Sequence, residues 1–491
     1  MSSPQRSIGL SCSITCPRLR SSLVTRIAIG LWLVLMGIEA RAEVTGIQGT
    51  VRGEESPLAG VLVSDGFSVV QTDTRGCYKL ALGPKSGRFV FVTTPAGYWT
   101  EKFFERTAQA AATGRVDFTL RRVEQGERFD FVFVTDMHLE KRDIGIPKFQ
   151  ASLREINSLR PSPAFLWSQG DICLQSRSGE YYVDCLKGAA MPVRNGPGNH
   201  EMMLAKSNPR EDFEQLFGPT YYSFDWGQIH CIVLDGNKPV PGVKDYKAVH
   251  GAVEGGELAW LRADLAAQPQ GKPTIVGIHI PVVTTYPQRR RESPPDAPYW
   301  EVTNRDILTD LFAAHHVRLV LQGHMHENER TVVKGVEYVA SISVSGSWYQ
   351  SGKGPERGVD GSPRGYRIVS VDGTRITHRY HSSCESHVDR QGEFYGLDKP
   401  VARGTAVPFV FNCYDAPHES TAEVRLDDGL WQPMPAFAAS NEKIGLAMPH
   451  HFRLLADTTT LTPGRHTIAA RVHWPDGPVV EEQTDFSVVG K

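Results

Sequence analysis

At 491 residues the chain is too long for one ordinary domain, and two to four domains are expected. Hydrophobic residues make up 40% and charged residues 22%, which excludes a disordered chain and fits a globular one. A formal net charge of -2 gives no electrostatic ground for a nucleic-acid or anionic-membrane partner, so any attraction for phosphate has to be local.

Residues 1–42 read as an export signal. Arg18, Arg20 and Arg26 precede an apolar run from Ile27 to Ile38, and Ala40-Arg41-Ala42 supplies an A-x-A cleavage pattern. The apolar run is short for a bilayer span, so no stable membrane insertion is expected after cleavage. The mature protein is expected in the periplasm or outside the cell. It keeps Cys77, Cys173, Cys185, Cys231, Cys384 and Cys413, an even number that permits disulfides. Cys173 and Cys185 are the nearest pair and would brace the loop between them; six buried free thiols is the alternative reading.

Residues 44–122 read as a small all-β sandwich. Short alternations such as Val61-Leu62-Val63 are separated by turn clusters such as Asp73-Thr74-Arg75-Gly76, with helical periodicity only at Phe103 to Ala112. Pro57-Leu58-Ala59-Gly60-Val61 followed by Thr72-Asp73 and Gly76-x-Tyr78-x-Leu80 resembles the transthyretin-like or carboxypeptidase-regulatory-like sandwich, which implies a structural or spacing role.

Residues 128–385 change to an α/β pattern. Phe129–Thr135 lacks polar alternation, as a strand buried on both faces does. Further strands are expected at Ala164–Ser168, His230–Leu234, Thr274–Ile278, Val317–Leu321, Glu337–Val344 and Tyr366–Val371. Helices are expected at Phe149–Leu159, at Gly256–Ala267, and from an Asn304 cap to His315. Residues 400–491 form a second β-rich unit, with turns at Asp427-Asp428-Gly429 and Pro463-Gly464.

Five short motifs follow in the α/β segment: Asp136-Met137-His138, Gly170-Asp171, Gly198-Asn199-His200-Glu201, His279, and Gly323-His324-Met325-His326. Most sit just after an apolar run, where the ends of parallel strands gather ligands. On an extended chain, residues two apart point the same way, so Asp136 with His138, and His324 with His326, can each meet one ion. The Asp171 carboxylate has two oxygens and can bridge two ions, while Asn199 offers a neutral carbonyl. Mixed oxygen and nitrogen donors suit Zn, Mn or Fe. Each motif alone is weak; all five in this order in one domain are not accidental.

This order resembles the calcineurin-like metallophosphoesterase superfamily, whose pattern is D-x-H, G-D, G-N-H-[DE], a lone His and G-H-x-H. Flanking β-sandwiches are similar to those of a bacterial subgroup. The resemblance implies a four-layer α/β/β/α core and two divalent or trivalent metal ions (Mn, Fe or Zn). It assigns Asp136, His138, Asp171 and His326 to one ion, and Asp171, Asn199, His279 and His324 to the other. It makes His200 a residue that touches the phosphoryl or leaving group rather than a metal. Glu201 stands where Asp is commoner. A metal-bound tyrosine of the purple branch is absent, its position being Leu174, so no iron-tyrosinate chromophore is expected.

The implied reaction is hydrolysis of a phosphomonoester or phosphodiester by a metal-bridging hydroxide, His200 assisting the leaving group. Two divalent ions against Asp136 and Asp171 leave about +2 by formal counting, which attracts phosphate. Two other readings are a silent secreted binding protein with a relic core and a two-metal hydrolase of another ester; the intact ligand set argues against the relic. Around the site, Arg289-Arg290-Arg291 within Tyr286–Tyr299 is either a lid carrying positive charge or a solvated loop, and Ser347-Trp348-Tyr349 a pocket wall or core.

Overall fold

The computed structural model describes residues 45–490, apart from 140–141, 173–177, 203–205, 244–247, 291–296, 346–355, 384–389, 476 and 478. The expected signal segment, Cys173, Leu174, Cys384, Arg291 and Ser347-Trp348-Tyr349 lie outside the described residues. Among those described, no helix is long and apolar enough to cross a membrane.

The core is built on two sheets. Strands β1 (Arg128–Val134), β2 (Leu166–Gln169) and β3 (Val193–Gly196) run parallel. Between β3 and the remaining strands of this sheet, the chain builds the second sheet from β4 (Tyr222–Trp226), β5 (Ile229–Val233), β6 (Thr274–Ile278), β7 (Val317–Gln322), β8 (Glu329–Val333) and β9 (Val336–Ala340). The first sheet is then closed by β10 (Gly365–Asp372) and β11 (Arg375–Ser382), giving the order β3-β2-β1-β10-β11. The second has the order β4-β5-β6-β7-β9-β8, with β5, β6, β7 and β9 parallel.

The period-2 side-chain alternation of β1 explains why both its faces are apolar. Val132 and Val134 face helices α1 (Arg142–Ser158) and α2 (Ser178–Leu186) and Phe213 of α3 (Glu211–Phe217), while Phe131 and Phe133 face the second sheet. Helix α4 (Gly255–Ala266) buries Trp260, Leu261 and Leu265 in the core of the second sheet. After the short helices α5 (Tyr286–Arg290) and α6 (Ala297–Trp300), helix α7 (Arg305–Ala314) adds Leu308, Leu311 and Phe312 to that core. The four layers are those expected.

Several local expectations change. Helix α1 starts at Arg142, ahead of Pro147, where the sequence suggested a later start. Asn304 precedes α7 but its side chain does not cap it. It is tied instead to the backbone of Val253, accepting from the amide and donating to the carbonyl. The helix expected at Phe103 to Ala112 is confined to Thr107–Thr113. Cys77, Cys185, Cys231 and Cys413 are free thiols.

The N-terminal segment folds as two facing sheets. One holds Thr45–Arg52 between Cys77–Leu82 and Phe118–Thr119; the other holds Val69–Gln71, Leu62–Ser64, Phe89–Val92 and Phe104–Arg106. Its apolar interior is continuous with that of the second sheet, Phe91 meeting Trp260 edge-on at 5.9 Å. Arg194 is buried there with its guanidinium 3.7 Å from the centre of the Trp99 ring, and burial lowers its pKa to about 10. The C-terminal sandwich has its own core around Phe409, Phe411, Val424, Ile468 and Phe486. Its Asp415 makes a two-pronged ion pair with Arg367 of β10 (2.8 and 2.9 Å), both side chains buried.

Another buried charge cluster makes stability depend on pH. His230 lies 2.7 Å from both Asp225 and Asp264, and Lys272 is 2.8 Å from Asp225. Burial opposes protonation of His230, but Asp264 and Asp225 outweigh it and raise its pKa to about 9. A raised folded-state pKa stabilises the fold fully below the ordinary histidine value of about 6.5, and that contribution is lost as pH rises through about 9. A shift of this size corresponds to roughly 3 kcal/mol. Urea midpoints should therefore fall between pH 6.5 and 9.5, and His230→Asn should flatten that slope. An unchanged slope in the variant would rule the cluster out as its source.

Candidate metal centre

All five motifs fall immediately after parallel strands. Asp136 and His138 follow β1, Asp171 follows β2, Asn199 and His200 follow β3, His279 follows β6, and His324 and His326 follow β7. The carboxyl ends of the two sheets therefore bring them together. The local geometry is not the extended one expected from residue spacing. Asp136 (φ 56°), His138 (φ 48°), Asp171 (φ 53°), His324 (φ 74°) and His326 (φ 54°) are all left-handed. Non-glycine residues adopt this region seldom, and clustering of such residues marks functional sites. Side chains thus converge because the backbone turns back at each residue, with no pleat involved.

Glycines permit this crowding. A Cβ on Gly323 would lie 2.1 Å from Thr135 Oγ1 and 2.8 Å from Asp136 Oδ2, and one on Gly198 would lie 2.3 Å from Asp171 Oδ1.

Two donor groups result, each with its atoms within 4.8 Å of one another. One comprises Asp136, His138, Asp171 and His326; the other comprises Asp171, His279 and His324; Asp171 belongs to both. His326 Nε2 is 3.1 Å from Asp136 Oδ1, and His279 Nε2 is 3.1 Å from Asp171 Oδ1. His138 Nε2 and His326 Nε2 face each other at 2.9 Å. Asn199, nearly buried, opens the turn Asn199–Glu201.

Whether these residues suit metal ions can be judged from their unmet donors. Asp136 Oδ1, Asn199 Oδ1 and His279 Nε2 are buried without a hydrogen-bond partner. Buried polar groups left unpaired are costly, and such donors among the motif residues fit a cation. Electrostatics agree. Despite burial, His326 and His279 hold Asp136 well below the usual carboxylate range, and His279 and His200 do the same for Asp171. Burial works against a proton on His279, yet Asp171 and Asp136 raise it to about 10. Burial lowers His138 to about 4 and His324 to about 3, leaving them neutral and able to ligate. The carboxylates draw positive charge, and oxygen and nitrogen donors are ready to receive it.

Surrounding groups hold the donors in place. His279 Nδ1 is 3.0 Å from Gln169 O, which leaves Nε2 for a metal, and His324 Nε2 is 3.0 Å from Tyr299 O. Such bonds fix ring orientation behind a metal-binding histidine. Glu201 accepts from the amides of Asp171 (2.8 Å) and Gly198 (2.7 Å), tying two motifs together. In the sequence Glu201 stands out only as a replacement for the commoner Asp; its contact with Gly198 is a local capping-box contact, whereas its contact with Asp171 spans two motifs and has no sequence signal. His200 is half-buried, its Nε2 3.8 Å from Asp171 Oδ2 and its amide donating to Asp171 Oδ1 at 3.0 Å.

A cavity of about 420 Å³ opens onto His138, Asp171, His200, His324 and His326, with Tyr286, Arg290, Trp300, Val359 and Ile444 among its other walls. Of the arginine run, Arg289 and Arg290 are described, while Arg291 lies outside the described residues. Arg289 is half-buried against Glu327 and Glu329, and Arg290 lines the cavity with its guanidinium 5.0 Å from the Trp300 ring.

Shared carboxylate and imidazole donors at the strand ends of a four-layer α/β/β/α core define a metal-binding α/β protein. Residues 129–328 match the Calcineurin-like phosphoesterase family, 45–123 its N-terminal companion and 337–471 its C-terminal companion. The chain belongs to the calcineurin-like phosphoesterases, a family that uses divalent metals. It is 27% identical over 245 residues to the Danio rerio protein named serine/threonine-protein phosphatase CPPED1, covering 47% of this chain and 72% of that one. The Homo sapiens protein of that name is 25% identical over 256 residues, covering 48% and 73%. Among solved structures, the phosphopantetheinyl hydrolase PptH of Mycobacterium tuberculosis aligns at 16% identity and TM-score 0.32, covering 44% of this chain and 89% of that one.

Proposed function

We propose that the chain is an exported phosphoesterase working with two metal ions. The observation that carries this is the pair of donor groups sharing Asp171, with buried donor atoms that no hydrogen bond satisfies. Asp136, His138, Asp171 and His326 would hold one ion; Asp171, Asn199, His279 and His324 the other. Such ions supply Lewis-acid charge to phosphoryl oxygens and lower the pKa of bound water. Asp171 fixes the spacing of the two sets, and Glu201 fixes Asp171. His200 faces the cavity and delivers a proton to the departing alkoxide, with no protein nucleophile required. The relatives' name favours a phosphomonoester of a protein side chain; a phosphodiester is the other candidate, and a panel of both ester types separates them.

Chelation should abolish hydrolysis, and Mn, Zn or Fe added to metal-free protein should restore it, saturating at two ions per chain. Undiminished turnover in a verified metal-free preparation would overturn the reading. Export rests on the Arg-rich start, the apolar run and Ala40-Arg41-Ala42. N-terminal sequencing of exported protein should begin near Glu43; a sequence beginning ahead of Ile27 would contradict cleavage there. A phosphate-ester substrate is the partner proposed, with no nucleic-acid scaffold.

A further inference from the structure

The outer wall of the cavity differs from its floor. The floor is imidazole and carboxylate; the wall is aromatic and aliphatic and is completed from the C-terminal sandwich. A hairpin of that sandwich, Ala439–Asn441 and Leu446–Met448, carries Ile444 at its turn. Leu446 is fully buried in a small cluster with Tyr286, Met325 and Val359, against which Trp300 and Ile444 also pack. The hairpin is held on two sides. Asn441 Nδ2 donates to Val359 O at 2.8 Å, and Arg289 Nη1 donates to Ala447 O at 2.9 Å. Arg289 is itself held by Glu327, directly after the metal motif. The turn is therefore a built wall of the cavity, fixed to the core from both ends.

Its chemistry selects a ligand. The Trp300 and Tyr286 rings lie 4.8 Å apart, and Trp300 reaches within 5.8 Å of the His324 ring at the metal end. The Arg290 guanidinium lies 5.0 Å from the centre of the Trp300 ring. Aromatic faces bind flat apolar groups better than small polar ones, through buried area and ring geometry. From the metal end this wall lies where the organic part of an ester extends once its phosphate is seated on the floor.

We propose that Trp300, Tyr286 and Ile444 form a binding site for the alcohol portion of the substrate, and that it selects phosphate esters whose alcohol carries a planar apolar ring. The C-terminal sandwich is thereby a specificity-determining part of the active site. This rests on the phosphoesterase reading above, and the test keeps the two apart.

Benzyl phosphate and methyl phosphate are suitable probes because their alcohols are similar in basicity and differ chiefly in the ring. With the metal-loaded full chain, kcat/KM for benzyl phosphate should exceed that for methyl phosphate by about ten-fold or more, given what burying one ring contributes. Ile444→Asp and Trp300→Ala should each raise KM for benzyl phosphate roughly five- to ten-fold, with methyl phosphate changed less than about two-fold and metal content unchanged. Ile444→Leu, which keeps the apolar contact, should retain the preference. Ile444 is half-exposed at a turn, so its substitutions spare the fold. If the native chain with metal bound hydrolyses neither these monoesters nor the corresponding benzyl and methyl phosphodiesters, the phosphoesterase reading falls. If it hydrolyses benzyl and methyl esters with equal kcat/KM, or if the variants slow both alike with metal retained, the wall does not select the alcohol and this inference is overturned.

Discussion

Asp171→Ala should lose metal and turnover together. Asp171 is the one residue in both donor groups, and its carboxylate lies 3.1 Å from His279 Nε2 and 3.6 Å from His138 Nε2. Removing it takes away one donor from each set and one of the two carboxylates that draw positive charge into the site. Changing a group that merely supports a ligand costs about 10–100-fold in affinity or activity, and loss of a shared ligand should exceed that. Metal analysis of the purified variant should find both occupancies reduced. Asp171→Asn, of the same shape, should also lose metal, because it removes the charge while leaving a carbonyl oxygen to accept from the His200 amide. Retention of two ions per chain in Asp171→Ala would show that Asp171 is not shared.

His200→Ala should separate turnover from metal content. His200 belongs to neither donor group; it is half-buried and faces the cavity. Both ions should remain while turnover falls by roughly 10²–10⁴-fold, the range for general acid–base groups. A nitrophenyl ester, whose leaving group departs with little help, should suffer less than an alkyl ester. An emptied metal site would make His200 a ligand or a prop. Equal slowing of both esters with metal retained would move its role to the phosphoryl oxygens.

The fold was legible at β1, β5 and β6, where burial is two-sided, though not at β4, which is buried as well. The unbroken apolar stretch of β1 and the run Thr274–Ile278 announce strands because nothing polar can alternate between two buried faces. Strand β11 was missed because its first half alternates between exposed and half-exposed residues, like a loop. The metal motifs were legible because donors at strand ends recur in fixed short spacings. How their side chains converge was not: residue spacing suggested a pleat, and the backbone uses left-handed residues that spacing does not encode. Glu201 reaches Asp171 in another motif and Ile444 packs across the C-terminal hairpin, and no local pattern carries such pairings.

The left-handed backbone at Asp136, His138, Asp171, His324 and His326 narrows what a drifting sequence can put there. Besides glycine, the residues that enter this region most readily are Asn, Asp and His, which are also those offering oxygen or nitrogen to a hard or borderline cation. Backbone shape and metal affinity thus filter the same alphabet. A β-branched or bulky apolar replacement would strain the turn before any question of coordination arose, and the exchanges that keep the turn are largely those that keep a donor. In such a scaffold, loss of the metal need not loosen the hold on these five letters, since the turns alone still favour them.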